Sequence, residues 1–112
     1  MTAATFLTFP NGMALTAKQR AHLRSLAHHL KAIHQVGKEG ITDAGLNAIS
    51  DAFSTRELVK VKVQEAAPIS AREAGSVLTE RMPDVEHVQT IGRTVVLYRP
   101  HPEKPEIQLP RA

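Results

Sequence analysis

Segments with helical periodicity alternate along this chain with segments of strand periodicity, and this alternation restricts the possible folds more than any other feature. Thr16 is followed by Gln19, and Ser70 by Glu73, at the spacing of a capping box, which marks a helix start. Between them, Leu58–Val63 alternates apolar and cationic residues with period two, as a half-buried strand does. The complete order is predicted to be α-β-α-β-α-β-β. We therefore expect an α/β fold, a single-domain sandwich with a four-stranded mixed sheet.

Each predicted helix has one apolar face. Thr42 is the predicted N-cap of the second helix, and Pro83 is expected to end the third. The residues predicted to face inward are Leu23, Leu26, Ala27 and Leu30 in the first helix, Leu46, Ile49 and Phe53 in the second, and Ala74, Val77, Leu78 and Met82 in the third.

Three further segments are predicted to be strands. Ala32–Val36 is a short strand between the first two helices. Val85–Ile91 and Thr94–Tyr98 are expected to pair as a hairpin across Gly92-Arg93, because Gly in the first loop position suits a tight type II′ turn.

The 112 residues are enough for one domain but not for two. We expect residues 15–100 to form it, residues 1–14 to be a flexible leader, and the Pro-rich residues 101–112 to be an extended tail outside the core. All apolar runs are far shorter than the roughly 20 residues that cross a bilayer. No cation precedes the apolar stretch at the start, so we expect no secretory signal, no membrane contact and a cytoplasmic location.

Residue types argue against several classes of chemistry. The chain has no cysteine, which excludes thiolate catalysis, cysteine-ligated zinc and disulfides. Six histidines raise the possibility of a metal site, but His28 and His29 point about 100° apart on a helix, and no histidine pair at i, i+4 has a carboxylate on the same face. Neither paired carboxylates nor a nucleophile motif is present. We predict no catalytic residues, no metal and no cofactor.

The small net charge of +3 hides a strong asymmetry. Residues 16–40 hold five Lys or Arg against one Glu, whereas residues 64–91 hold five Asp or Glu against two Arg. On the first helix, the cationic side chains fall in a sector about 80° wide beside the apolar face: Arg20, Arg24, His28 and Lys31. This distribution suits a polyanionic partner, although two ordinary solvated faces would give the same pattern.

Gly37-Lys38-Glu39-Gly40 is the most specific local motif. It is predicted to lie between a strand and a helix N-terminus, where backbone N–H groups favour phosphate. A GxxG loop in KH domains clamps a nucleic-acid backbone by close approach. Glu39 counts against phosphate contact, and a plain turn is the alternative. Aromatic residues make up only 4% of the chain, so base stacking is not expected to be the main mode of recognition.

Five blocks of the sequence resemble, in order and spacing, the CRM domain (chloroplast RNA splicing and ribosome maturation) in its stand-alone bacterial YhbY-like form. These blocks are Leu15-Thr16, Leu26-Ala27-His28, residues 36–42, residues 57–63 and residues 91–99. The resemblance implies a fold similar to the C-terminal domain of translation initiation factor three, with a KH-like GxxG loop. Ala32 stands where the family usually has Pro, and His34 and Gln35 where it has apolar residues, so we expect a less buried first strand.

The resemblance also implies a protein that binds ribosomal RNA in precursors of the large subunit. We expect it to be non-enzymatic, to have no DNA target and to act as a monomer. The residues predicted to bind RNA are Gly37, Lys38, Glu39, Gly40, Arg20, Arg24, His28, Lys31, Lys60, Lys62 and Arg93. Several alternatives stay open. His28 could be structural, Lys60 and Lys62 could only protect a sheet face from aggregation, and the acidic third helix could dock on a ribosomal or assembly protein.

Overall fold

The fold of residues 15–103 and 105–110 is described by a computed structural model. Within these residues the helices are α1 (Ala17–Ala27), α2 (Asp43–Ala52) and α3 (Ala71–Arg81), and the strands are β1 (Ala32–Val36), β2 (Leu58–Val63), β3 (Glu86–Ile91) and β4 (Thr94–Tyr98). The predicted order of elements is therefore confirmed. The leader predicted for residues 1–14 lies outside the described residues, and the domain boundaries at residues 15 and 100 stay a prediction.

The strands form one mixed sheet in the order β1-β2-β4-β3. β1 runs parallel to β2, whereas the β2–β4 and β3–β4 pairs are antiparallel. The predicted α/β class with a four-stranded mixed sheet is thus confirmed. β1 is an edge strand in which only Val36 is buried, as its polar residues led us to expect.

The two faces of the sheet are covered unequally. α2 and α3 pack on one face, where Val59, Val61 and Val63 lie in the larger apolar cluster. α1 packs on the other face, termed here the α1 face, over a smaller cluster that includes Leu58. The alternate residues Lys60 and Lys62 share that face with Leu58, as the period of two predicts. The buried residues of the smaller cluster are Leu15, Leu23, Ala27, Leu58, Val88, Val96 and Tyr98.

Helix starts follow the sequence closely. Both capping boxes are formed, because the Thr16 and Ser70 hydroxyls each accept from the backbone N–H three residues later while that residue's side chain accepts in return. The Thr42 hydroxyl caps α2 by accepting from Gly45 N at 3.0 Å. α3 ends at Arg81 with Met82 as its C-cap, directly before the proline.

The end of α1 differs from the prediction. The helix stops at Ala27 with His28 as its C-cap, so Leu30 and Lys31 lie in the connection to β1. Leu23 and Ala27, four residues apart, form the buried row, whereas Leu26 and Leu30 are each 39% exposed. The predicted apolar face of α1 is therefore too wide, because only the row of Leu23 and Ala27 is buried against the sheet.

The hairpin agrees with the prediction except at its first residue. Gly92 has a φ of +56°, which a two-residue loop between Ile91 and Thr94 requires at its first position. β3 begins at Glu86 rather than Val85, and the preceding valine is buried in the larger cluster.

The tail after Pro100 does not stay outside the core, contrary to expectation. Ile107 and Leu109 pack against the smaller cluster. The buried carboxylate of Glu57 accepts backbone N–H groups from His101, Glu106 and Ile107. Gln19 Nε2 also donates to the carbonyl of Pro110 at 3.1 Å. Prolines restrict the tail to extended conformations. Nevertheless, its two apolar residues and its hydrogen bonds to Glu57 and Gln19 attach it to the domain.

Candidate nucleic-acid interface

Part of the α1 face is not covered by α1 and forms an open sheet surface. One row across it runs from Gln35 in β1 through Lys62 and Thr94 to Ile91 in β3, because these residues are register partners in turn. Neighbouring strands lie about 4.8 Å apart, so this row is about 14 Å wide. Lys62 is exposed and Ile91 is 58% exposed. The surface is therefore accessible, cationic near its centre and apolar at one edge.

A groove separates this open surface from α1. It has a volume of about 550 Å³, and Arg24 of α1 and the C-cap residue His28 form part of its wall. The opposite side includes Lys60, whose ammonium donates to the carbonyl of Leu30 at 3.0 Å. His28 is exposed, and its ring meets the His29 ring edge-on at 5.3 Å. Three of the predicted binding residues thus share one groove.

The GxxG segment forms a tight turn directly after β1. Gly40 N donates to Gly37 O at 2.9 Å, and Gly40 has a φ of +73°, which favours glycine. Lys38 and Glu39 are exposed at the tip of this turn. A Cβ on Gly37 would lie 3.1 Å from the side-chain oxygen of Gln64, so the two chain segments approach closely here.

The GxxG turn and the β3–β4 hairpin tip lie at the same end of the sheet. β1 and β2 both end there, and Val63 N donates to Arg93 O at 2.7 Å. Arg93 is exposed and pairs with Glu65 at 3.4 Å, an ion pair that solvent screens strongly. Lys38, Lys62 and Arg93 therefore border one end of the open surface.

Comparisons with known proteins agree with this architecture. Residues 15–99 match the family model of the CRS1 / YhbY (CRM) domain. The chain belongs to the CRM domain family. It is 42% identical over 96 residues to YqeI of Bacillus subtilis, named a probable RNA-binding protein, a match that covers 86% of this chain and 99% of that one.

Two further relatives extend the comparison of this CRM domain. An RNA-binding protein of Haemophilus influenzae is 41% identical over 100 residues, covering 87% of this chain and 96% of its own length. The solution structure of SAV1595 from Staphylococcus aureus, for which RNA binding has been suggested, superposes with a TM-score of 0.72 at 42% identity, covering 86% of this chain and 99% of that chain.

Arg20 is placed differently from the other cations of the CRM domain. Its guanidinium is half-buried and donates to the carbonyl oxygens of His87 and Val88, at the bulge of β3. These two bonds fix α1 to an edge strand, so Arg20 has a structural role in this position. The sequence could not show this, because the bulge that presents both carbonyls has no local signature here.

Lys31 is also displaced from its predicted position. It is exposed, but because α1 ends at Ala27, Lys31 lies beyond the helix and is not part of a helical basic stripe. It precedes β1, whose first residue, Ala32, is the register partner of Lys60. Lys31 therefore lies near the start of the edge strand, on the approach to the groove.

Sequence reasoning missed several polar and apolar residues of the open surface of the CRM domain. Gln35, Gln89, Ile91 and Thr94 complete the surface around Lys60 and Lys62. The period of two across the hairpin could have identified Thr94 and Ile91. Gln89 could not be placed, because the register shift between His87 and Gln89 changes which side chains face the groove.

The acidic segment does not form a continuous surface. α3 carries two arginines as well as two glutamates, and one of these, Glu73, closes the capping box. Asp84 pairs with Arg99 at 3.4 Å. The prediction of an acidic face on the third helix is therefore wrong, because the two arginines of α3 balance its two glutamates and Glu73 is engaged in the capping box.

Burial shifts the pKa values of two residues beside Arg20. Desolvation raises the pKa of Glu86 above its usual value, although the charge of Arg20 and a backbone hydrogen bond from Leu15 oppose this shift. Desolvation lowers the pKa of His87, and the positive charges of Arg20 and Arg72 lower it further. The His87 ring nitrogen Nε2 lies 2.7 Å from the Thr90 hydroxyl oxygen. The His87 ring lies against Gly75 of α3, on the other side of the sheet from the open surface.

Residues 15–103 and 105–110 contain neither a metal-binding cluster nor a membrane-spanning helix. No three His, Cys, Asp or Glu side chains in these ranges come together in a way that could hold a metal ion. Within the same ranges, no helix combines the length and apolar composition needed to span a membrane.

Proposed function

We propose that this CRM domain binds ribosomal RNA in precursors of the large ribosomal subunit and assists ribosome assembly. The observation that carries this proposal is the gathering of cations around one groove and one end of the sheet, beside a glycine turn that lets another backbone approach. The relatives named as RNA-binding proteins support the choice of RNA as the polyanion. We assign the chain a non-enzymatic role in the cytoplasm, as a monomer with no DNA target.

The proposed mode of binding is backbone gripping. Arg24, Lys60 and Lys62 would neutralise phosphates along the groove and the open surface, while Lys38 and Arg93 would do so at the end of the sheet. The aromatic residues that the structure describes, Phe53 and Tyr98, are both buried, so they offer no platform for stacked bases. Arg20 is left out of this set because its Nη1 already donates to two backbone carbonyls.

A matched pair of variants tests which surface binds. Lys62→Ala should weaken binding to transcribed large-subunit ribosomal RNA by about threefold to tenfold, the usual effect of removing one phosphate contact. Arg72→Ala removes an exposed cation from α3, on the opposite side of the sheet, and should leave the affinity unchanged. Equal effects of the two substitutions in a filter-binding titration would contradict the proposed surface.

The identity of the RNA requires an experiment in cells. Crosslinking the tagged chain to RNA, followed by sequencing of the attached fragments, should enrich large-subunit ribosomal RNA and its precursors. Fragments spread over messenger RNAs would refute the ribosomal part of the proposal.

A further inference from the structure

The groove between α1 and the open surface has features beyond its positive charge. Its apolar lining consists of Ile91, which is 58% exposed at the edge, with the buried side chains of Ala27 and Val96 at the bottom, while Arg24 and Lys60 contribute cationic side chains. A volume of about 550 Å³ is in the range of sites that hold small molecules. Such a combination suits a ligand with one flat or apolar part and one anionic part.

Gln89 adds a specific polar group to this groove. Its side chain is part of the groove wall, and its Oε1 atom is buried without a hydrogen-bond partner among the described residues. A buried acceptor left unsatisfied costs roughly 1–3 kcal/mol. The terminal amide torsion of glutamine is soft, so a small rotation would present the oxygen to a ligand in the groove. The groove therefore offers an acceptor that a bound donor would satisfy.

We propose that the groove holds one unpaired nucleotide of the bound RNA. The base or ribose would pack against Ile91, above the buried Ala27 and Val96. One of its donors would bind Gln89 Oε1, and its phosphate would lie beside Arg24 and Lys60. A base inside a duplex presents no free face to such a floor, whereas a bulged nucleotide does. This inference rests on the proposed function, and it makes a bulge or loop, rather than a continuous helix, the preferred RNA.

Two synthetic RNA hairpins test this site, identical except that one carries a single bulged nucleotide. The unmodified chain should bind the bulged hairpin about tenfold more tightly, as one good hydrogen bond with apolar contact would give. Gln89→Leu should remove most of that preference. It should not lower the melting temperature, because leucine replaces an unsatisfied polar group with an apolar one of similar size. A third hairpin with an abasic bulge separates recognition of the base from recognition of the ribose.

Lys62→Ala is the matched control, because Lys62 lies on the open surface but does not line the groove. It should weaken binding to both hairpins equally and keep the preference. If the unmodified chain binds both hairpins equally and in a salt-dependent way, the proposed nucleotide site is refuted but the proposed function is not. An undiminished preference in the Gln89→Leu variant would also overturn it. Failure to bind either hairpin at low salt would overturn both this inference and the proposed function.

Discussion

Replacing Glu57 with glutamine should loosen the C-terminal tail and destabilise the domain. The carboxylate of Glu57 is 6% exposed, and its Oε1 accepts from Glu106 N at 2.9 Å and from Ile107 N at 2.7 Å. Its other oxygen accepts from His101 N at 2.5 Å. A glutamine can keep the first pair with its one oxygen, but its amide group would then face the N–H of His101.

The magnitude can be worked out from the bond that is lost. A hydrogen bond to a charged group contributes roughly 1.5–3 kcal/mol, and deep burial prevents water from replacing it. In a domain of this length, 1 kcal/mol corresponds to about 5 °C in melting temperature. We therefore expect Glu57→Gln to lower the melting temperature by about 8–15 °C. Glu103→Gln makes the same change of charge at an exposed position in the tail and should have little effect.

Thermal melting and amide hydrogen exchange together test this reasoning. Exchange at the amides of His101 and Ile107 should be slow in the unmodified chain and much faster in the Glu57→Gln variant, whereas exchange in β2 should track global stability. If the variant melts within about 2 °C of the unmodified chain and the Ile107 amide stays protected, Glu57 does not hold the tail.

Three further predictions concern the turn, α1 and the core. Gly40→Ala should lower the melting temperature by about 5 °C because Gly40 has a positive φ, whereas the Cβ in Gly37→Ala meets only a flexible side-chain end and should lower it less. Both substitutions should weaken RNA binding. If only Gly40→Ala weakens RNA binding, the loop has a purely structural role. Arg20→Met should destabilise the fold by about 2 kcal/mol in urea titrations while leaving the salt slope of RNA binding unchanged; a shallower slope would return Arg20 to the binding surface. Burial, followed by the negative charge of Glu57, raises the pKa of Tyr98 to about 12. The pKa of tyrosine in the unfolded chain is about 10, so the contribution of Tyr98 to stability should be fully present below pH 10 and should be lost as the pH rises toward 12. Because the chain has one tyrosine and no tryptophan, tyrosinate absorbance reports the ionisation of this residue directly. Ionisation near pH 10 in the folded chain would contradict this prediction.

The fold could be predicted because its signals are local. The hydroxyls of Thr16, Thr42 and Ser70 fix the helix starts through bonds to N–H groups three residues away, and the period of Leu58–Val63 fixes which residues share a face. The features that could not be predicted depend on contacts between distant segments. Glu57 looks like an ordinary surface carboxylate in sequence, and only the return of the tail shows that it is a buried acceptor.

The candidate site was predictable to a similar degree. Lys60, Lys62 and the GxxG segment can be identified from strand alternation and a short motif, and they lie at one open surface. Arg20 and Gln89 could not be assigned, because both depend on the bulge in β3. A bulge inserts one extra residue into a strand and bends it. The residues after the bulge therefore face the side of the sheet opposite to the one that simple alternation predicts.

The salt dependence of RNA affinity tests the central claim most directly. If about five of the cations around the groove and the end of the sheet contact phosphates, the logarithm of the affinity should fall with the logarithm of salt concentration at a slope of about −3.5 to −4.5. Lys62→Ala should make that slope shallower by about 0.7–0.9, and Arg72→Ala should leave it unchanged. A flat salt response, or an equal change with both variants, would contradict backbone gripping by this surface.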